Sequence, residues 1–282
     1  MPELPELDVL RENLAAQLTG ASVAAVRVLS VAALKTFDPP LEALVGRAVS
    51  GAGRRAKYVW LEFNGWFLVT HLSLGGRMVL GQKPPSRKVG VLAVEFADGR
   101  VLGVTEGGTQ RRAAVWLVDD PEKVPALAGL GPEPLDPDFT VERLAAILAT
   151  GGHTLKGMLT DQRGMAGVGN AWSDDVLHRA RLSPFARPDR LDQEELTRLH
   201  AALVGVLSEA RGALAEQVDG EVAIPKAAAR NFAVHGRAGA ACFVCGDTIR
   251  SVWMGERETS YCPTCQTGGR ILADRRRSRF LR

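Results

Sequence analysis

Met1-Pro2-Glu3-Leu4-Pro5-Glu6-Leu7-Asp8 opens the chain, and the reading of the rest turns on it. Proline follows the initiator methionine, so removal of Met1 leaves Pro2 as a terminal secondary amine with carboxylates nearby at Glu3 and Glu6. An α-amine titrates near pH ~8, well below lysine, so part of it is a free nucleophile at neutral pH. Attack on a carbonyl-like carbon turns a secondary amine into a cationic iminium, an electron sink. Glu3 is placed to move protons at that centre and Glu6 to position a substrate. The same residues also suit an ordinary helix start, where proline fits the first turn and carboxylates favour the positive end. Residues 5–18 read as that helix, with Leu7, Leu10, Leu14 and Leu18 on one face and Gly20 closing it.

Beyond the helix the texture changes to short β-type runs, at 22–29, 58–63, 66–71, 91–96, 101–104 and 114–118. Asn64-Gly65 and Asp98-Gly99 are tight hairpin signals between such runs. Closely spaced strands of this kind predict a sandwich or barrel. Residues 121–137 are rich in proline and glycine and read as a linker. Helical patterns follow at 139–149, 154–160 and 192–217, the last with Asp192 and Glu195 in capping-box positions. Between them, Asp161-Gln162-Arg163-Gly164-Met165-Ala166-Gly167-Val168-Gly169-Asn170 places glycines two apart before an asparagine at a helix start. Backbone N–H groups of such a turn can cradle a phosphate and grip a DNA backbone without reading its sequence. A plain corner between two helices fits the stretch equally well.

All four cysteines lie in one segment: Cys242 and Cys245, sixteen residues, then Cys262 and Cys265. Two CxxC pairs at this separation make a zinc ribbon, and four thiolates leave no open coordination position, so the metal is structural. A length of 282 residues suits two domains, and 46% apolar with 24% charged residues allows a buried core. The acidic opening excludes a signal peptide and no apolar run is long enough to span a bilayer, which predicts a soluble cytoplasmic protein. The formal charge is only +3, but it is unevenly spread. Arg54-Arg55 with Lys57, Lys83 with Arg87-Lys88, Arg111-Arg112 and six arginines from Arg270 to Arg282 form basic clusters. Each cluster alone reads as solvated surface; together they suit a polyanion-binding face.

Taken in order, MPELPE, Arg-Arg-Ala-Lys57-Tyr, His71-Leu-Ser-Leu-Gly-Gly, the 161–170 turn and the terminal cysteine pairs resemble the formamidopyrimidine-DNA glycosylase (Fpg/Nei) family as far as about Gln266. Leu4 is closer to the formamidopyrimidine branch than to the endonuclease VIII branch. The resemblance implies a two-domain α+β fold: an N-terminal β-sandwich with its helix, then a helix-two-turn-helix domain with a zinc-ribbon hairpin. The expected boundaries are 1–120 for the catalytic domain, 121–138 linker, 139–237 DNA-binding domain, 238–268 zinc finger and 269–282 basic tail. It implies that Pro2 attacks C1′ of a damaged nucleotide, that Glu3 assists sugar-ring opening and that Glu6 contacts the lesion or holds Glu3. β- and δ-elimination then cut the strand on both sides. Lys57 is expected on the phosphate flanking the lesion, with His71, Asn170 and Arg257 clamping phosphates and Lys156 near the lesion pocket. A base that must leave the stack needs such clamps on both sides of one nucleotide. One zinc on Cys242, Cys245, Cys262 and Cys265, and a monomer acting on double-stranded damaged DNA near the nucleoid, complete the expectation.

Two departures stand out. The side chains that fill the hole left by a flipped base are Leu74 and Arg111-Arg112 here, followed by Ala113 where the family has phenylalanine. An alanine offsets little of the unstacking cost. Residues 218–234, where the formamidopyrimidine branch places a lesion-capping loop, match poorly. The expected activity is a bifunctional glycosylase/lyase for formamidopyrimidine and 8-oxoguanine. A preference for oxidised pyrimidines or abasic sites is a rival, as is a non-catalytic damaged-DNA-binding protein. A zinc-ribbon transcription factor explains Cys242–Cys265 but not the N-terminus.

Overall fold

A computed structural model of the chain describes residues 1–226, 230–254 and 257–274. These divide into two compact units, Met1–Gly129 with Arg211–Ala227, and Leu130–Ala210 with Ala228–Arg282. The α+β architecture agrees with the sequence reading.

The first unit opens with helix α1 (Leu4–Leu18), whose residues Leu7, Leu10, Leu14 and Leu18 are all buried in one core. Two four-stranded antiparallel sheets share that core. One has the order β1 (Val23–Val28), β6 (Gly90–Phe96), β7 (Val101–Glu106), β5 (Gly76–Gly81). The other runs β2 (Gly51–Arg55), β3 (Tyr58–Glu62), β4 (Phe67–His71), β8 (Ala114–Val118). Helix α1 packs on β2 and β3. The composition of β2 conceals it, because Gly51-Ala52-Gly53 is a poor strand sequence. Gly53 faces Trp60 across the pair, and a Cβ there would collide with the indole. The ring thus covers the glycine and supplies the packing that a side chain would give.

The second unit holds α2 (Val141–Ala149), α3 (Leu155–Thr160), α4 (Asn170–Arg179) and most of α5 (Gln193–Val218). Strands β9 (Arg250–Met254) and β10 (Arg257–Tyr261) form an antiparallel hairpin, followed by the single-turn α6 (Pro263–Thr267). The capping box of α5 forms as expected: Glu195 N–H donates to Asp192 Oδ1 at 2.8 Å and Asp192 N–H to Glu195 Oε2 at 3.1 Å.

Two expected boundaries shift. Residues from Leu130 onward are not a free linker. Gly131 N–H donates to Gln162 O at 2.9 Å and Ala166 N–H to Pro132 O at 2.9 Å. A Cβ on Gly131 would sit 2.5 Å from Gly164 O, so its glycine serves close backbone approach rather than flexibility. Residues 211–226 belong to the first unit, since Arg211 pairs with Asp8 and Val222 and Ile224 enter its core. Of the lesion-capping segment, 227–229 lie outside the described residues, as do 275–282 of the basic tail and the 255–256 hairpin turn.

Candidate active site

In the first unit Pro2 is buried immediately before the N-terminal end of α1. Glu3 is the N-cap. Its backbone N–H donates to Glu6 Oε2 at 2.8 Å, its side chain accepts from the Glu6 backbone, and both carboxylates are buried. This reciprocal pair fixes the two acids to each other at the start of the helix and satisfies amides that the helix leaves over. The positive end of the helix disfavours a cation at Pro2, which favours its free amine. The helix-start reading of the opening stretch is observed, and the same residues place the Glu3 carboxylate next to Pro2 in the chain.

Lys57 is buried in the turn between β2 and β3, after Ala56, which has φ 51° although it carries a side chain. The last residue of β4, His71, lies against Tyr58 with ring centroids 4.7 Å apart. Burial, then the charge of Lys57, lower the His71 pKa to about 4 against an opposing pull from Glu106. The ring is neutral at physiological pH. Leu74 lies in the turn after β4 and is 59% exposed, outside the core. Arg111 and Arg112 are exposed, and Arg111 donates to Lys88 O. Ala113 is buried in the core. The carboxylate of Glu106 accepts from Arg112 N–H and Ala113 N–H, both at 2.8 Å, and so ties down the end of the loop that follows β7.

In the second unit the 161–169 loop is stapled by one side chain. Gln162 Nε2 donates to Thr160 O at 2.9 Å and to Val168 O at 2.8 Å, while its Oε1 accepts from Gly167 N–H at 3.0 Å. Gly167 has φ 89°, a conformation that favours glycine. The loop delivers Asn170 to the first position of α4, where Nδ2 donates to Glu258 O of β10 at 2.9 Å. The second Nδ2 hydrogen and the helix end remain suited to an anion. Arg257 is exposed at the turn end of β10.

Lys156, expected near a lesion, is buried in α3 with its Nζ 2.5 Å from Asp174 Oδ1. The other oxygen of Asp174 accepts from Ser260 N–H at 3.1 Å and lies 2.8 Å from His235 Nδ1. Asp175 accepts from the N–H groups of Ala233, Val234 and His235. Sequence reasoning passed over these two aspartates; the signal was a pair of adjacent acids inside an otherwise apolar helix turn.

The thiols of Cys242 and Cys265 lie 3.9 Å apart and those of Cys245 and Cys262 3.4 Å apart. Val244 N–H donates to Cys242 Sγ, as in a metal knuckle. Burial and the neighbouring thiols push Cys262 up to about 11; a divalent cation among them reverses that cost. Four sulfurs at these spacings fit one structural zinc. His178 of α4 was not anticipated: its Nε2 is 3.3 Å from Cys242 Sγ. Burial and the charges of Arg237, Arg179 and Arg181 hold this ring below the ordinary histidine range, so it is neutral.

No helix among the described residues is long and apolar enough to cross a membrane. Three family models match: formamidopyrimidine-DNA glycosylase N-terminal domain over residues 1–113, formamidopyrimidine-DNA glycosylase H2TH domain over 130–218, and the zinc finger found in FPG and IleRS over 241–268. The chain is 35% identical to the formamidopyrimidine-DNA glycosylase of Geobacter metallireducens, over 95% of this chain and 100% of that protein. Among solved structures, the MutM (Fpg) protein of Thermus thermophilus is 32% identical with TM-score 0.80, covering 94% of this chain and 98% of that one. Fpg of Lactococcus lactis, in complex with DNA containing an abasic site, is 25% identical with TM-score 0.84, covering 94% and 99%. With family models matching along nearly the whole length and a relative 35% identical over 95% of the chain, the chain belongs to the formamidopyrimidine-DNA glycosylase family.

Proposed function

We propose that the protein is a bifunctional DNA glycosylase and abasic-site lyase of base-excision repair, acting on oxidised bases, formamidopyrimidine and 8-oxoguanine first among them. The observation that carries the reading is Pro2 buried immediately before α1, followed by Glu3, whose backbone N–H is held by the buried Glu6 carboxylate. Once Met1 is removed, the amine of Pro2 attacks C1′ and loses its proton, and the damaged base departs with the bonding pair. The iminium forms as the C1′–O4′ bond breaks and the ring oxygen takes the electron pair. Glu3 delivers the proton that opens the sugar ring and then takes protons during elimination. Loss of the 3′ and then the 5′ phosphate frees the sugar and leaves phosphates on both ends of the gap. Lys57 neutralises charge on the phosphate beside the lesion, and His71, neutral, donates one hydrogen bond to the backbone. Asn170 and Arg257 grip phosphates from the second unit, and Lys156 sets α3 against α4 through Asp174 so that Asn170 is held in place.

The buried Ala113 favours a variant of this reading in which base interrogation is weak and abasic sites or oxidised pyrimidines are processed best. Duplexes carrying one 8-oxoguanine, formamidopyrimidine, thymine glycol or abasic site separate the two. Strand cleavage leaving phosphate at both ends, fastest at the oxidised purines, supports the primary reading. Cleavage at the abasic site alone supports the variant. Tight binding without cleavage on any duplex overturns both and leaves a DNA-binding protein.

A further inference from the structure

The zinc segment holds one donor more than a four-coordinate ion needs. His178, Cys242, Cys262 and Cys265 have ligand atoms that all lie within 4.8 Å of one another. Cys245 lies against the same group, with its sulfur 3.4 Å from Cys262 Sγ. Two donor sets therefore share three thiols and differ in the fourth member, Cys245 or His178. The two candidates differ in placement. Cys245 is exposed on the outer knuckle, whereas His178 is buried on α4, two turns from Asn170 at the start of the same helix.

We propose that His178 is a fifth donor of the zinc site. With four thiolates bound, its Nε2–H donates to Cys242 Sγ, lowering the charge on that sulfur and holding α4 to the finger. When Cys245 is lost as a ligand, the other tautomer presents the Nε2 lone pair and the ion is kept as a three-thiolate, one-imidazole site. Both coordination sets are ones that zinc accepts in tetrahedral geometry. Partners of this kind around zinc ligands change metal affinity by about 10–100-fold. The consequence is that the metal, and with it the tie between the finger hairpin and the helix carrying Asn170, survives damage to the one exposed thiol.

The test uses the full-length protein loaded with Co2+ or Zn2+. Cys245→Ser is expected to retain one metal per chain, with a tetrahedral Co2+ spectrum whose charge-transfer bands correspond to three thiolates. Adding His178→Phe is expected to speed metal loss to a chelator by about tenfold or more. Equal release rates from the single and double variants overturn the spare-ligand role. His178→Phe alone, in the four-cysteine protein, gives a second reading that does not depend on how Cys245→Ser folds. Faster zinc release supports the hydrogen bond to Cys242, and an unchanged rate overturns it. Far-UV circular dichroism confirms that each variant keeps its helices.

Discussion

Glu3 carries two duties that are usually separate. As N-cap it starts α1, and in the proposed mechanism it is also the acid that opens the sugar ring. Glu3→Gln separates them, because the amide still accepts from the Glu6 N–H but cannot exchange protons. Excision is expected to fall about 10²–10⁴-fold while stability changes by no more than about 1 kcal/mol, read by single-turnover cleavage and urea unfolding. His71 makes a second prediction. Its ring takes a proton only at about 4 in the folded chain, but near ~6.5 when unfolded. The unfolded state therefore binds the extra proton first, so stability is full above pH ~6.5 and drains as pH falls toward 4. His71→Asn should flatten that part of the loss between urea titrations at pH 7 and pH 5; an undiminished loss in the variant contradicts the assignment. The residues of the opening stretch were legible because their chemistry is unusual for a chain terminus. Asp174, Asp175 and His178 were not, because their roles come from partners about 60 residues away in sequence.

At the scale of elements, short β-type runs and hairpin dipeptides exposed most of the strands, and leucine spacing exposed α1. Strand β2 was hidden because its regularity rests on Trp60 covering Gly53, a cross-strand event with no local trace. The 130–138 stretch misled in the same way, since glycine marks both a flexible joint and a tight approach. Loop 107–112 illustrates the opposite limit: its sequence revealed that an aromatic was missing, but not that the vacant position faces the core. Ala113→Phe is therefore expected to overpack that core and lose about 1–3 kcal/mol without improving lesion excision, as thermal melting and cleavage rates would show. Better excision at unchanged stability would mean that residue 113 reaches DNA. In the second unit, Asp174→Asn leaves the ammonium of Lys156 buried without its countercharge and should cost about 3–5 kcal/mol. Lys156→Met combined with Asp174→Asn should recover most of it, since the buried ammonium is removed while the amide oxygen still accepts from Ser260 N–H. If Asp174→Asn melts like the parent protein, the pair is not a structural tie.

Across the whole molecule, the family was readable from five motifs spread from Met1 to Cys265, because each is a chemical or backbone necessity rather than a matter of packing. Unit boundaries were less readable: residues 211–226 follow the helical half in sequence yet pack with the first unit through Arg211, Val222 and Ile224. The proposed mechanism depends on a single covalent event at Pro2. It is tested most directly by borohydride reduction during reaction with an abasic-site duplex, followed by mass mapping of the adduct. The expected result is one sugar-derived adduct on the N-terminal peptide, attached to Pro2 with Met1 removed and absent from Pro2→Gly. An adduct on a lysine, or none while cleavage proceeds, would contradict the role given to Pro2.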